Sequence, residues 1–199
     1  MPGHCSSTKA GTDASSGAID VADVMPSEVI GGVVVVEPTL WQDPRGFFAE
    51  TFRQEWLPEA APHMVQGNRA DRQADTLVGL HYHRFQADYW YVPFGRVLAA
   101  LHDLRASSPT RGTSLTVELD GERHRGLYIP RGVAHGFYAI TDATITYLVD
   151  NYYNPDDELG VAWDDPALGI DWPGEAPILS ERDRANPRIA DIPAELVPE

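Results

Sequence analysis

Cysteine is nearly absent from this sequence. The single residue, Cys5, leaves no partner for an internal disulfide. Residues 1–24 also lack the uninterrupted apolar run that a secretion signal or a membrane span requires. We therefore expect a cytoplasmic protein in a reducing environment.

Positive charge is also scarce. The chain has 15 Lys and Arg residues against 30 Asp and Glu residues, which gives a formal net charge of −15. Such a chain repels the phosphates of nucleic acids and the anionic surface of membranes, so neither is an expected partner. A few converging arginines could still bind an anionic small molecule in a local pocket.

The composition divides the chain at about residue 24. Residues 1–24 are rich in Ser, Gly, Ala, Thr and Asp, which bury too little apolar surface to offset the entropy lost on ordering. They are predicted to form a disordered tail, and Cys5 within it is interpreted as an incidental exposed thiol. Residues 25–199 are predicted to form one domain, because the chain is 43% hydrophobic and shows no internal repeat.

Short β-rich runs, separated by Gly, Pro, Asp and Asn, fill most of the chain after Gly31, and helical periodicity is largely absent. This pattern predicts an all-β fold, an antiparallel sandwich or barrel, with a few short helices. Asp120-Gly121 predicts a tight hairpin turn, and Ser180 with Asp183 predicts the start of a short helix near residues 179–185. The candidate strands are 33–36, 46–52, 77–83, 89–94, 97–104, 113–119, 123–129, 136–140 and 144–149.

Three histidines stand out by their positions. Side chains alternate along a strand, so His81 and His83 point to one face and Tyr82 to the other. His135 follows a Pro130-x-Gly132 turn at the start of a later strand. We expect these three histidines to converge on one cavity. The other four are interpreted as surface or core residues without a catalytic role: His4, His63, His102 and His124.

Six ordered segments carry a resemblance to a known family. They are Asp43-Pro44-Arg45-Gly46-Phe47-Phe48-x-Glu50, then Gln66-Gly67-Asn68, Gly79-Leu80-His81-Tyr82, Asp103-Leu104-Arg105 with Ser108-Pro109-Thr110, Ile129-Pro130-x-Gly132-x-Ala134-His135-Gly136-Phe137, and Trp163-Asp164-Asp165-Pro166-Ala167-Leu168-Gly169-Ile170-Asp171-Trp172-Pro173. In order and spacing, these segments resemble the dTDP-4-dehydrorhamnose 3,5-epimerase family of the cupin superfamily, from about Val33 to Ile189.

This resemblance implies a cupin jelly roll and a homodimeric enzyme of rhamnose biosynthesis that uses no metal and no other cofactor. Enzymes of this kind invert carbons 3 and 5, or one of them, of dTDP-4-dehydro-6-deoxy-D-glucose. A proton next to a ketone is weakly acidic, so a base removes it, the enolate is stabilised, and an acid on the opposite face returns a proton. Inversion therefore needs two groups on two faces of the sugar.

The resemblance also implies roles for single residues. By similarity His81 is the base, Asp183 orients it, and Tyr147 is the acid. Without the family pattern, Asp183 would be interpreted as a first-turn helix residue and Tyr147 as a strand aromatic. Tyr153 matches the residue that stacks on the thymine ring, and Arg182, a substrate-binding match, stands where the family usually has a Lys. The remaining matches to substrate contacts are Arg45, Glu50, Gln66, Asn68, His135 and Glu158.

Two positions depart from the family pattern. Val78 stands where an Arg is usual, and Asp88 stands where a Lys is usual. The loss of one well-placed donor can slow such a reaction roughly a hundredfold. A different keto sugar is therefore an open alternative for the substrate.

The same departures create a metal-binding pattern. His81-x-His83-x4-Asp88-x6-Gly95 has the spacing of the first metal-binding cupin motif, with Asp in place of the usual Glu, and Pro130-x-Gly132-x-x-His135 matches the second. Imidazoles and a carboxylate are suitable ligands for Fe, Mn, Ni, Cu or Zn. A metal-dependent cupin enzyme using His81, His83, Asp88 and His135 is the first alternative function. A non-catalytic ligand-binding cupin is the second.

Overall fold

The computed structural model describes residues 21–199, which form two antiparallel β-sheets and a separate hairpin. The strands are β1 (Ala22–Pro26), β2 (Val34–Pro38), β3 (Trp41–Asp43), β4 (Gly46–Phe48), β5 (Gln66–Arg72), β6 (Leu77–Tyr82), β7 (Asp88–Phe94), β8 (Arg96–Asp103), β9 (Ser114–Asp120), β10 (Gly126–Ile129), β11 (Val133–Ala139), β12 (Ala143–Val149) and β13 (Leu159–Gly160). The first sheet has six strands in the order β1-β2-β10-β7-β12-β5, and the second has five, β13-β6-β11-β8-β9. β3 pairs with β4 alone.

Helical structure is sparse in the described part of the chain. The one α-helix there, α1, spans Glu181–Ala185, and Ser180 caps it by accepting a hydrogen bond from the Asp183 backbone N–H. Short 3₁₀ turns lie at Gln54–Trp56, Pro155–Asp157, Pro166–Leu168, Ile189–Asp191 and Ala194–Leu196.

The main hydrophobic core lies between the two sheets. Val92 and Ile145 of the six-stranded sheet belong to the same buried cluster as Val97 and Phe137 of the five-stranded sheet. Inward side chains of facing sheets fill such a space, because alternate residues of each strand point to the same side. Trp90, Phe137 and Ile145 also line a polar pocket, so the pocket is continuous with this core.

Strands β6 and β11 approach each other closely beside the pocket. All seven residues of β11 are buried, and His135 in β11 lies opposite His81 in β6. Gly79 has φ +102°, and a Cβ at this position would lie 2.8 Å from the His135 carbonyl oxygen. Only glycine combines this backbone angle with this close contact.

The all-β prediction is confirmed, and each of the nine candidate strands corresponds to a strand of the structure. The predicted strand at 46–52 is shorter, because β4 ends at Phe48. The short helix is present as α1. Four strands were not predicted from the sequence: β1, β3, β5 and β13.

The predicted hairpin at Asp120-Gly121 is wrong. β9 pairs with β8, whereas β10 pairs with β2 and β7 in the other sheet, so the segment between them crosses from one sheet to the other. The Asp120 carboxylate accepts hydrogen bonds from the backbone N–H groups of Glu122 and Arg123, and the positive φ occurs at His124. These bonds stabilise a longer turn instead of a two-residue one.

The predicted tail lies mostly outside the described residues, and so do Cys5 and His4. Its last residues differ from the prediction, because β1 begins at Ala22 and pairs with β2. The backbone of residues 22–24 therefore forms ladder hydrogen bonds. Residues 21–199 contain no helix that is long and apolar enough to cross a membrane.

Candidate active site

His81 and Asp183 form a hydrogen-bonded pair at the wall of the pocket. His81 Nε2 lies 2.6 Å from Asp183 Oδ1, although 102 residues separate the two in the chain. Ser180 Oγ donates a hydrogen bond to the other carboxylate oxygen, at 2.8 Å. Because an ionised carboxylate only accepts, His81 carries its proton on Nε2, and Nδ1 is the unprotonated nitrogen of the neutral ring.

The environment of Asp183 favours its ionised form. Burial alone would raise the pKa of this carboxyl, but the hydrogen bonds from His81, Ser180 and the Gly79 backbone N–H outweigh burial and hold the pKa below its ordinary value. Asp183 is therefore charged at neutral pH. In this state it fixes the orientation of the His81 ring and can stabilise an imidazolium.

Tyr147 faces the same pocket from the opposite sheet. It lies on β12 and pairs with Trp90 of β7 and Asn68 of β5. Burial raises the pKa of its phenol, and the nearby negative charges of Asp88 and Glu158 raise it further, against the effect of Arg72. Tyr147 therefore stays protonated at neutral pH and can donate a proton.

The pocket between the sheets has a volume of about 190 Å³. This is smaller than the roughly 300–1,000 Å³ of sites that enclose a drug-sized ligand, so it has room for one small ring. It is lined by Ala70, Arg72, Val78, His81, His83, Gln86, Asp88, Trp90, His135, Gly136, Phe137, Ile145, Tyr147 and Glu158. The structure thus brings His81, His83 and His135 to one cavity, as expected from the sequence.

Two of these histidines and one carboxylate form a buried cluster in the pocket. One ligand atom from each of His83, Asp88 and His135 lies within 4.8 Å of the other two. Burial lowers the pKa of His135 to about 4, despite the opposing effect of Asp88, so this ring is neutral at pH 7. Residues of this kind could hold a metal ion. His81 does not belong to the cluster, although the sequence motif included it.

The predicted substrate contacts divide into two groups. Glu158 and His135 line the pocket, and Arg182 donates a hydrogen bond to the Glu158 backbone carbonyl at 3.0 Å. Gln66 and Asn68 are hydrogen-bonded to each other on β5, on the strand face that also carries Ala70 and Arg72. Of these five predicted residues, Glu158 and His135 line the pocket, Arg182 contacts Glu158, and Gln66 and Asn68 lie further along a strand face that reaches the pocket.

The other three predicted contacts do not line the pocket. Arg45 lies between β3 and β4 and forms an exposed ion pair with Asp43. Glu50 forms an ion pair with Arg53. Tyr153 is 68% exposed in the loop after β12. In this chain these side chains are available to solvent or to another molecule.

Five residues of the pocket wall were missed by the sequence analysis: Ala70, Arg72, Gln86, Trp90 and Ile145. Arg72 lies an even number of residues from Gln66 and Asn68 and so shares their strand face, but this relation is visible only once β5 is known to be a strand. The four histidines without an assigned role include His102 and His124, which hydrogen-bond Ser114 and Tyr91 outside the pocket.

The architecture defines the class of protein. Two antiparallel sheets enclose a histidine-lined pocket, with helical structure reduced to a few short turns and α1, which is the cupin jelly roll. The model of the dTDP-4-dehydrorhamnose 3,5-epimerase family matches residues 27–191, most of the chain. The chain belongs to this family.

Individual relatives agree in sequence and in structure. A dTDP-4-dehydrorhamnose 3,5-epimerase from Pseudomonas aeruginosa is 38% identical over 169 residues, which cover 81% of this chain and 93% of the relative. A dTDP-6-deoxy-D-glucose-3,5-epimerase from Legionella pneumophila, solved with dTDP-4-keto-L-rhamnose, superposes with a TM-score of 0.84 at 36% identity and covers 89% of this chain and 98% of its own. A 3'-monoepimerase from Streptomyces bikiniensis, solved with dTDP-quinovose, gives a TM-score of 0.80 at 36% identity over 87% of this chain and 92% of its own.

Proposed function

We propose that this protein is a carbohydrate epimerase that inverts a carbon next to the ketone of a dTDP-linked 4-keto-6-deoxy sugar. The observation that carries the proposal is the position of His81 and Tyr147, which line one pocket from two facing sheets. A ring bound between them has a base on one face and an acid on the other. Family membership and the dTDP-sugar ligands of the solved relatives give the substrate class.

In this proposal His81 removes the proton. The lone pair on Nδ1 takes the proton next to the ketone, and the electrons of the broken C–H bond move to the carbonyl oxygen to form an enolate. The ring then becomes an imidazolium, whose charge is stabilised by the Asp183 carboxylate 2.6 Å from Nε2. Asp183 stays ionised during this step and does not itself take up the proton.

Tyr147 returns a proton on the other face. Its phenol O–H is donated to the enolate carbon, which inverts the configuration. The phenolate then regains a proton from solvent, and the His81 imidazolium releases its proton to solvent. The raised pKa keeps the phenol protonated before this step. The same raised pKa makes the phenolate a short-lived species, since it readily takes a proton again.

The rest of the substrate extends out of the pocket in this proposal. A cavity of about 190 Å³ accepts the sugar ring but not the nucleotide. Tyr153, exposed in the loop after β12, offers a flat ring on which the thymine can stack. Glu158 and Arg72 line the pocket and Arg182 is hydrogen-bonded to Glu158, so these groups offer hydrogen bonds to the sugar or the diphosphate.

The experiment is deuterium incorporation from D₂O into dTDP-4-keto-6-deoxy-D-glucose, followed by NMR. The wild-type protein is expected to place deuterium at carbon 3, carbon 5 or both, and the labelled positions identify the carbons that are epimerised. His81→Ala should abolish incorporation, whereas the exposed His63→Gln should keep the wild-type rate. Wild-type incorporation by His81→Ala would overturn the assignment of the base.

We also propose that the protein is a homodimer in the cytoplasm. β1 is the outer strand of the six-stranded sheet, and its Val24 and Met25 are each 40% exposed. The neighbouring hairpin of β3 and β4 exposes Phe47 and Phe48. An exposed edge strand with apolar side chains favours association with a second copy. In a dimer, Arg45 and Glu50 would be able to contact the pocket of the partner subunit.

A further inference from the structure

Three buried side chains of the pocket bring nitrogen and oxygen atoms that could bind a metal ion close together. His83 follows β6, Asp88 begins β7 and His135 lies in β11, so both sheets contribute. Their exposed fractions are 5%, 3% and 6%. The selected ligand atoms all lie within 4.8 Å of one another.

Hydrogen bonds to carbonyl groups determine the tautomers of both histidines. His83 Nδ1 is 2.8 Å from the Asp157 carbonyl oxygen, and His135 Nδ1 is 2.9 Å from the Val133 carbonyl oxygen. A carbonyl only accepts, so each Nδ1 carries the proton and each Nε2 of the neutral ring keeps a lone pair. Metal-binding histidines show this same arrangement, with the second ring nitrogen donating to a carbonyl.

The lone pairs of the two histidines face other acceptors. His135 Nε2 is 3.9 Å from Asp88 Oδ2, and His83 Nε2 is 3.7 Å from Glu158 Oε1. Both separations exceed hydrogen-bond length, so neither nitrogen is hydrogen-bonded to the carboxylate that it faces. Buried acceptor atoms that face one another have no donor among them. A bound cation would interact favourably with all of them.

The charge of Asp88 points to the same conclusion. Its oxygens accept hydrogen bonds from Gln86 and Trp90, which are both neutral. Among residues 21–199 no Lys or Arg forms an ion pair with it. A buried carboxylate without a cationic partner is costly, and a metal ion would compensate its charge.

We infer that His83, Asp88 and His135 bind one divalent first-row transition metal ion in the pocket. Two imidazole nitrogens and one carboxylate favour Zn²⁺, Fe²⁺, Co²⁺ or Ni²⁺ over Mg²⁺ and Ca²⁺. Bonds of about 2.1 Å require small side-chain rotations that draw the three ligand atoms together. The site lies in the same pocket as the proposed epimerase groups but uses other side chains, because His81, Asp183 and Tyr147 are not among its three ligands.

The test is a titration of the purified full chain with the metal alone. Protein stripped with a chelator is titrated with Co²⁺, followed by visible absorption, and with Zn²⁺, followed by calorimetry. We expect one ion per chain and an absorption band from nitrogen and oxygen ligands. Mg²⁺ at the same concentration should not compete.

Variants identify the ligands. Asp88→Asn and His83→Gln should each weaken Zn²⁺ binding by about a hundredfold or more, since changing a residue that only hydrogen-bonds to a ligand already costs about ten- to a hundredfold. His63→Gln, which removes an exposed histidine, should bind as the wild type does. Thermal unfolding of each variant without metal shows whether it is folded.

One result would overturn the inference. If the wild type binds Co²⁺ and Zn²⁺ no more tightly than the folded His83→Gln variant, the cluster is not a metal site. Deuterium incorporation by the same chelated sample is measured separately. Metal binding and epimerisation can therefore each fail without affecting the conclusion about the other.

Discussion

At the scale of single residues, hydrogen bonds and burial determine the orientation and the protonation of the titratable groups in the pocket. The His81 ring is oriented by Asp183, and Asp183 is itself fixed by Ser180 and the Gly79 N–H. Within residues 21–199 the Tyr147 hydroxyl has no hydrogen-bonded carboxylate, and its pKa is raised by burial and by the charges of Asp88 and Glu158, which keeps it protonated. The two groups therefore start in opposite states, one ready to accept a proton and the other ready to donate one.

Asp183→Asn should remove the orientation of His81 while keeping the size of the side chain. We expect the turnover rate to fall by about a hundredfold to ten-thousandfold, because an amide can stabilise the wrong tautomer of the ring and cannot neutralise an imidazolium. KM should change little. Steady-state kinetics measures both values.

The matched control for this variant is Glu181→Gln, which changes an exposed carboxylate of the same helix. It should keep the wild-type rate. Equal losses in the two variants would mean that Asp183 acts only through the charge or stability of α1.

Tyr147→Phe should separate proton removal from proton return. Without the phenol, His81 can still form the enolate and reprotonate the same face, so exchange at the sugar carbon should persist while inversion falls by roughly a hundredfold or more. Because the pKa of Tyr147 is raised, the wild-type rate of inversion should stay high to a more alkaline pH than an ordinary tyrosine would allow.

Inversion and exchange are measured on one sample by NMR in D₂O. Tyr152→Phe, at an exposed tyrosine, is the control and should behave as the wild type. If Tyr147→Phe loses exchange and inversion equally, the phenol is needed for binding or for the enolate rather than as the acid.

At the scale of elements, the contact between β6 and β11 sets the distance between the two histidine segments. Gly79 allows the backbone of β6 to pass beside His135 and Gly136. Any side chain at Gly79 would push these strands apart. His81 and His135 face each other across this contact, so the site depends on the glycine.

Gly79→Ala is expected to lower the free energy of unfolding by more than the roughly 1–3 kcal/mol of backbone strain, because its Cβ would also collide with His135. Gly112→Ala is the matched control, since Gly112 has φ +79° and no atom within 4 Å of its added Cβ. Urea unfolding measures both variants. Equal destabilisation would show that the contact with β11 adds nothing to the strain.

At the scale of the whole molecule, the chain is strongly acidic, but some of its positively charged side chains lie near the pocket. The net charge is −15, yet Arg72 and Arg182 lie at the pocket or beside it. Val78 and Asp88 stand where the family usually has cations, and both line the pocket. The proposed metal ion would supply positive charge at this place.

The proposed homodimer gives a prediction at this scale. Phe48→Asp should shift the protein toward monomer, because it places a charge in the apolar surface of the β3 and β4 hairpin. Sedimentation measures the mass as a function of concentration. Phe94→Asp, at a similarly exposed phenylalanine of β7, should leave the mass unchanged. A monomeric wild type would contradict the proposal.

Parts of the fold could be predicted from local pattern and parts could not. Strands rich in β-branched and other apolar residues, such as β2 and β12, were predicted because such residues favour strands that pack against a core. β5 was missed because its sequence, Gln66–Arg72, contains a single apolar residue, and its pairing with β12 stabilises it. The hairpin at Asp120 was wrong because hydrogen bonds within residues 120–123 and pairing to different sheets override a two-residue turn signal.

The sequence by itself determined that His81 and His83 share a strand face, since side chains alternate along any strand, and it determined the family through ordered motifs. Only the tertiary structure decided which groups meet. It joined Asp183 to His81 across 102 residues and placed Asp88 with His83 and His135, leaving His81 out of that cluster. These contacts between residues distant in sequence follow from strand register and sheet packing. Both depend on the whole core, so no local sequence pattern predicts them.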